Sequence, residues 1–410
     1  MATVLAPDLG AISNGSEPQV KSWIPKVFLL SLFIPEVCDF FFYGSPIARL
    51  ARIGLIMVAL VLSGKFSKLA QQRVFSTLCL GGLVFTAMIG FLVNHSIFPI
   101  YLIISFIWVI LMAQQRFASR TFILQAIAAA QILSILSFIA ILLRLPSPFP
   151  FAASDSSNYF VPLNNLLGLH GRQPGIMSHA NQLAPVCAIA ILGALTSKSK
   201  LWLIPIYAVT LLTTGSNTTY ISTCVGIAFI YFGGGKFSRF FAKTSLRLTG
   251  FALLAVFLSL ALGFQSLEIS NTSLTGRGFI WNQALNLFHG HLWFGLGWQF
   301  ERAAILQGTL PPFASSVHNT YLEWLTNFGV FGLLFIIPIF FIFLSNLWST
   351  DARLRSLAAM ILLFSFSESL INLGNFNLIT YLFIFLTWRE MSPSQAAPAI
   401  DSAPKSVEVT

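Results

Sequence analysis

Apolar residues fall in long runs along most of the chain, at 25–43, 46–63, 75–93, 97–113, 121–144, 181–197, 200–215, 218–233, 247–265, 319–347, 355–371 and 374–388. Roughly 20 apolar residues carry a helix across the hydrocarbon core of a bilayer. In that solvent every backbone N–H and C=O has to be satisfied within the segment, which a helix does. The pattern predicts an all-α, polytopic integral membrane protein of about 12 transmembrane helices. Residues 23–390 then form one multi-span membrane domain. Glu36 and Asp39 interrupt the first run, and Arg49 and Arg52 open the second, so one of that pair reads as partly interfacial. The tails, 1–22 and 391–410, are rich in Ala, Ser and Pro without an apolar period, and are expected to be disordered and cytoplasmic.

The polar stretches between the runs set the orientation. With the amino terminus in the cytoplasm every lysine falls inside. Of the 23 basic residues only Arg49, Arg52, Arg144, Arg172, Arg277 and Arg302 then lie outside. Excess Lys and Arg in cytoplasmic loops is the normal orientation signal, so both tails are expected inside. Two loops are too long to be mere connections, 145–180 and 266–318, and both fall on the outer side. The chemistry is therefore expected outside, with 266–318 as the large outer loop.

Composition narrows the classes further. The chain is 56% hydrophobic and 9% charged, which excludes a soluble globular domain. The net charge of +10 is explained by topology, and no nucleic-acid partner is expected. Cys38, Cys79, Cys187 and Cys224 all sit in apolar stretches without the spacing of a metal cluster or disulfide framework. Asp155, Glu268 and Glu301 are scattered over the outer loops, so neither a metal nor another cofactor is expected.

Under this topology His95, His170, His179, His289, His291 and His318 all lie in outer loops or at outer span ends. Imidazole is the side chain suited to proton exchange near neutral pH. All six outer basic residues are arginine, whose planar fork of donors fits phosphate and pyrophosphate better than an ammonium does. For Arg49, Arg52 and Arg144, which flank spans, snorkelling to lipid headgroups is an equally good account. Arg172 and Arg277 sit mid-loop. In "LTGRGFIWNQALNLFHGHLWFGLGW", Gly276 and Gly278 flank Arg277 and an amphipathic helix follows through Phe279, Ile280, Leu285, Leu287 and Phe288. This interfacial helix is expected to put Trp281, Trp293 and Trp298 at headgroup depth, and Arg277 where a lipid-linked phosphate emerges. The plainer reading is an interfacial helix without chemistry.

His318 follows "PPFASS", so Ser315 or Ser316 is expected to cap the tenth span with His318 in its first turn. Free amides of such a turn can receive an anion. Glu323 stands one turn on from Asn319. The loop "LHGRQPGIMSHANQLAP" repeats the arrangement, with Arg172 in a Gly/Pro-rich turn and His179 and Asn181 at the start of the sixth span. The plainer reading there is a capped helix end.

The run from "TGRGFIWNQAL" through "WFGLGW" to "VHNTYLEWLTNFGVFG" resembles the O-antigen ligase and polymerase family of membrane glycosyltransferases. The family pattern is Gly-Arg, a tryptophan four residues on, Gly-x-Gly, His-Asn-x-Tyr-Leu and Gly-x-x-Gly. It is met by Gly276 and Arg277, Trp281, Gly295 and Gly297, His318 to Leu322, and Gly329 and Gly332. Arg172, Gly175, His179 and Asn181 look like the family's other box. Two departures stand out: Ala180 where the family often has proline, and Ser216-Asn217 in "TTGSNTTY" where it commonly has Ser-Arg. Arg302 is a candidate substitute for that arginine.

The resemblance implies a GT-C-like fold in the bacterial cytoplasmic membrane. It also implies metal-independent, inverting transfer of a glycan from undecaprenyl pyrophosphate to an acceptor hydroxyl, another glycan or lipid A–core, at the outer face. Arg172 and Arg277 are then the pyrophosphate clamp and His318 the base or acceptor-positioning residue. Asn319, Glu323, Trp281, His179, Asn181 and Arg302 are further substrate-binding candidates. Membrane lipids and other polysaccharide-assembly proteins are the further partners. Polymerase and ligase differ in the acceptor, and the "HNTYLEWL" form leans towards the polymerases. A twelve-span small-solute transporter is the alternative from another class. Such proteins usually carry ionisable residues at the bilayer midplane and an internal repeat, whereas here polar residues crowd the outer loops. A scaffold for envelope assembly would leave the arginines and His318 dispensable.

Overall fold

The computed structural model describes residues 71–94, 119–146, 161–198, 200–232, 277–310, 318–349, 352–365, 368 and 378–387, except 170, 178, 299 and 307, together with a few isolated positions. The spans expected at 25–43, 46–63, 97–113 and 247–265 lie outside these residues apart from isolated positions. Among the described residues the regular structure is helical, with no strand.

The helices are α1 Gln71–Asn94, α2 Ser119–Leu142, α3 Pro162–Leu166, α4 Ala180–Ser197, α5 Ile204–Thr213, α6 Asn217–Phe232, α7 Arg277–Phe288, α8 Phe300–Leu306, α9 Thr320–Ser349, α10 Ala352–Ser365 and α11 Leu378–Thr387. Among the described residues three stretches are long and apolar enough to cross a membrane: Ile123–Leu142, Ala180–Ser197 and Thr320–Phe340. Leu78–Val93, Leu201–Thr213 and Leu354–Ser365 are shorter apolar helices.

The core grows from small residues. α2 packs against α4 and α5, and α6 packs against α10. Ala126, Ala129 and Ala130 of α2, and Ala184, Ala188 and Ala190 of α4, are completely buried. Where surrounding lipid is as apolar as leucine, close backbone approach between small residues is what makes two helices prefer each other. Larger side chains fill the space where α9 meets α11: Phe340, Phe343 and Phe383 have ring centroids 5.0 to 6.1 Å apart.

α9 covers the run expected at 319–347, but as two half-helices joined at a kink. The chain leaves helical geometry at Gly329, with φ 66° and ψ −166°. That break strips backbone groups of their helical partners, and each orphan in an apolar setting costs about 1–3 kcal/mol. The segment Leu292–Gly297 repairs it with four backbone hydrogen bonds. Leu296 and Gly297 N–H donate to the carbonyls of Thr326 (2.6 Å) and Asn327 (3.1 Å), while Val330 and Phe331 N–H donate to those of Leu292 (2.9 Å) and Trp293 (3.0 Å). The two chains come so close that a Cβ at Gly295 would meet Thr326 O at 2.6 Å, and one at Gly329 would meet Gly295 N at 2.4 Å. These contacts give the Gly-x-Gly and the first glycine of Gly-x-x-Gly a physical purpose. They also tie the segment after α7 to the interior of α9.

One expectation changes. Trp298 is buried, 2% exposed with its ring 5.9 Å from that of Phe328, because its segment is drawn against the broken helix; Trp293 is 63% exposed. Glu368 N–H donates to Phe364 O at 3.1 Å, the i to i−4 spacing of a helix, so Glu368 keeps the register of α10 and reaches the neighbouring helix starts from there.

Candidate active site

Three helix starts meet one helix end. Asn181 is the second residue of α4, Arg277 the first of α7 and Thr320 the first of α9, and all three reach Glu368, just beyond the end of α10. Arg277 donates from a terminal guanidinium nitrogen to Glu368 Oε1 at 2.5 Å, and Asn181 Nδ2 donates to the same oxygen at 2.8 Å. His318 Nδ1 lies 3.2 Å from Oε2, and Thr320 Oγ1 donates to the Glu368 carbonyl at 2.8 Å. Asn181 extends the network, because its Oδ1 accepts from the Arg172 guanidinium. Arg172 Nε in turn donates to Thr214 O at 2.6 Å.

Burial divides the work. The Glu368 side chain is 5% exposed, while those of Arg277 and His318 are 20% and 26% exposed. A ligand can reach the cation and the imidazole, while the carboxylate behind them stays inside. The ion pair with Arg277 and the contacts with Asn181 and His318 hold the carboxylate where it can orient a cation and a ring.

Each sequence-derived candidate has a definite place. Arg172, Asn181, Arg277 and His318 are brought together through Glu368. His179 is the residue before α4, extended at φ −152° and ψ 148°, and its Nδ1 accepts from Asn181 N–H at 3.0 Å; it caps the helix that carries Asn181. His318 is not in the first turn of α9. Its φ of 52° puts it in the left-handed region two residues before the helix, and the cap is Asn319, whose Oδ1 accepts from Leu322 N–H at 2.9 Å. The left-handed turn is what swings His318 back towards Glu368, since a residue continuing the helix would follow its axis.

Glu323 is buried at 6% exposure, close to Glu301 at 4%. Burial first, then the Glu323 charge, push the Glu301 carboxyl well above the usual range. Trp281 is half-buried in a small apolar cluster formed by Ile280, Ala284, Phe300, Ala304 and Leu310. Arg302 belongs to α8, but its side chain lies outside the described residues, as does His170.

Glu368, in the apolar run 355–371, has no place among the sequence-derived candidates. The signal that finds it is that placement itself, because an ionisable group in a span is costly and calls for a partner.

Residues 202–337 match the family model described as O-antigen ligase. Over these residues, about a third of the chain, the protein is O-antigen ligase-like. The matched segment contains Arg277, Trp281, the two glycine motifs and His318, whereas Arg172, Asn181 and Glu368 lie on either side of it. With the apolar helices, it marks the ligase-like chain as an integral membrane protein whose general activity is of the glycosyltransferase kind. No curated protein matches the chain.

Proposed function

We propose that this chain transfers a glycan from undecaprenyl pyrophosphate to an acceptor hydroxyl at the outer face of the bacterial cytoplasmic membrane, as an O-antigen or exopolysaccharide polymerase or an O-antigen ligase. The observation that carries this reading is the convergence of Arg277, His318 and, through Asn181, Arg172 on one buried carboxylate.

Pyrophosphate is already a good leaving group, so the site has to supply fixed positive charge where negative charge develops. Arg277 and Arg172 supply it without a metal. Ionised Glu368 takes the hydrogen bond of the His318 Nδ1 proton, which leaves Nε2 as the acceptor. The acceptor oxygen attacks the anomeric carbon and its proton passes to Nε2. The bond from that carbon to the phosphate oxygen breaks, undecaprenyl pyrophosphate leaves with the electron pair, and the configuration inverts. The acceptor is a second lipid-linked glycan for a polymerase and lipid A–core for a ligase.

Glycan profiles of cells carrying wild type, Arg277→Ala or His318→Ala, with membrane levels of the chain checked, test the reading. Lipid-linked intermediates are expected to accumulate in both variants. A polymerase defect leaves single repeats attached to their acceptor, and a ligase defect leaves full-length chains on the carrier. Unchanged glycans in both variants at wild-type protein levels would overturn the assignment.

A further inference from the structure

Asn164 is completely buried in α3, and its Nδ2 bridges two separate pieces of backbone. It donates to Gly171 O at 2.5 Å and to Thr213 O at 2.8 Å. Each acceptor immediately precedes a residue that governs Arg172. Gly171 precedes Arg172 itself, and Thr213 precedes Thr214, whose carbonyl receives Arg172 Nε. Gln173 N–H also donates to Thr213 O, at 3.0 Å. Gly215 completes the turn with φ +62°, and a Cβ there would lie 2.9 Å from Val161 Cγ2 and 3.4 Å from Arg172 Cγ. Asn164 thus fixes both the backbone from which Arg172 hangs and the backbone that its guanidinium grips.

We propose that Asn164 is a positioning residue for the lipid-pyrophosphate subsite, acting through Arg172, and that the turn 213–217 serves as its anvil. The inference rests on the reading of Arg172 as a pyrophosphate contact. Where the family commonly places an arginine in this turn, this chain has Asn217. Here the turn offers carbonyls to the arginine of the neighbouring loop. A guanidinium held at both Nε and a terminal nitrogen presents its fork in one orientation, so little rotamer freedom remains to be lost when a diphosphate binds.

The test is the affinity of the purified full chain in detergent for undecaprenyl pyrophosphate, with monodispersity checked for each variant. Asn164→Ala and Gly215→Ala, which disturb the same clasp from opposite sides, are each expected to bind about tenfold more weakly. Arg172→Ala is expected to lose more. The double variant Asn164→Ala/Arg172→Ala should bind no more weakly than Arg172→Ala alone, a non-additivity that a merely structural asparagine would not give.

Wild-type affinity in a monodisperse Asn164→Ala or Gly215→Ala, with Arg172→Ala weakened, would overturn the inference and leave the reading of Arg172 standing. A double variant weaker than Arg172→Ala would also overturn it. Unchanged binding in Arg172→Ala would remove the reading of Arg172 and the inference with it. Should Asn164→Ala not yield a monodisperse protein, the Gly215→Ala comparison decides.

Discussion

Arg277 and Glu368 are 91 residues apart in the chain and 2.5 Å apart in space. The pair joins the start of α7, in a polar loop, to the end of α10, in an apolar run, and Glu368 is also where Asn181 and His318 arrive. A buried carboxylate that organises an arginine, an amide and an imidazole should be felt in both stability and function.

Glu368→Ala removes one partner of a buried ion pair and leaves Arg277 and His318 without their orienting group. The expected cost is about 3 kcal/mol, the range seen when one member of a buried pair is deleted. Glu368→Gln keeps the volume but loses the charge, so it should fold better than Glu368→Ala while glycan transfer still falls by at least about tenfold. Thermal unfolding in detergent together with a transfer assay checks both halves. Wild-type transfer by Glu368→Gln would remove the carboxylate from the account.

One buried carboxyl of the expected outer loop should tilt the pH dependence of stability. Glu301 is held above 4.5 by burial and the neighbouring Glu323. Its favourable state is the protonated one, present below pH 4.5 and lost as pH rises through the raised value. Melting temperatures between pH 4 and pH 9 are therefore expected to show Glu301→Gln more stable than wild type at the alkaline end and indistinguishable from it at the acid end. A gain confined to the acid end would reverse the sign of the argument.

The break in α9 should tolerate no side chain. A Cβ at Gly329 or Gly295 would stand 2.4 to 2.6 Å from backbone atoms of the opposing segment, and both glycines have positive φ, 66° and 71°. Gly329→Ala and Gly295→Ala are each expected to destabilise the protein by more than about 2 kcal/mol. Because they strike the same contact, the double variant should cost less than the two single losses together. Strict additivity in thermal unfolding would mean that the two segments do not share the contact.

Much of this fold is legible in the pattern of apolar runs. The runs at 121–144, 181–197 and 218–233 correspond to α2, α4 and α6 within two residues at each end, because length and composition alone decide whether a segment suits an apolar solvent. α7 is visible as an amphipathic stretch through Phe279 and Phe288, and in the structure it begins two residues earlier, at Arg277. Three features were not legible. The break at Gly329 lies in a run that is apolar on both sides, and only the hydrogen bonds of a distant segment make it affordable. The cap of α9 was assigned to Ser315 or Ser316 when Asn319, just as good a capping residue, stands immediately before Thr320. The role of Glu368 depends on partners 50, 91 and 187 residues away, a convergence that no local pattern encodes.

The central claim is that this ligase-like chain uses arginine and histidine to move a glycan off a polyprenyl pyrophosphate. The most direct measurement is transfer by the purified chain in lipid vesicles, given an undecaprenyl-pyrophosphate-linked glycan and a glycan acceptor with a metal chelator present, for wild type and Arg277→Ala. The account predicts product with inverted anomeric configuration from wild type, and a rate lowered by about a hundredfold or more in the variant. Equal rates for the two proteins, or a wild-type reaction that the chelator abolishes, would contradict it.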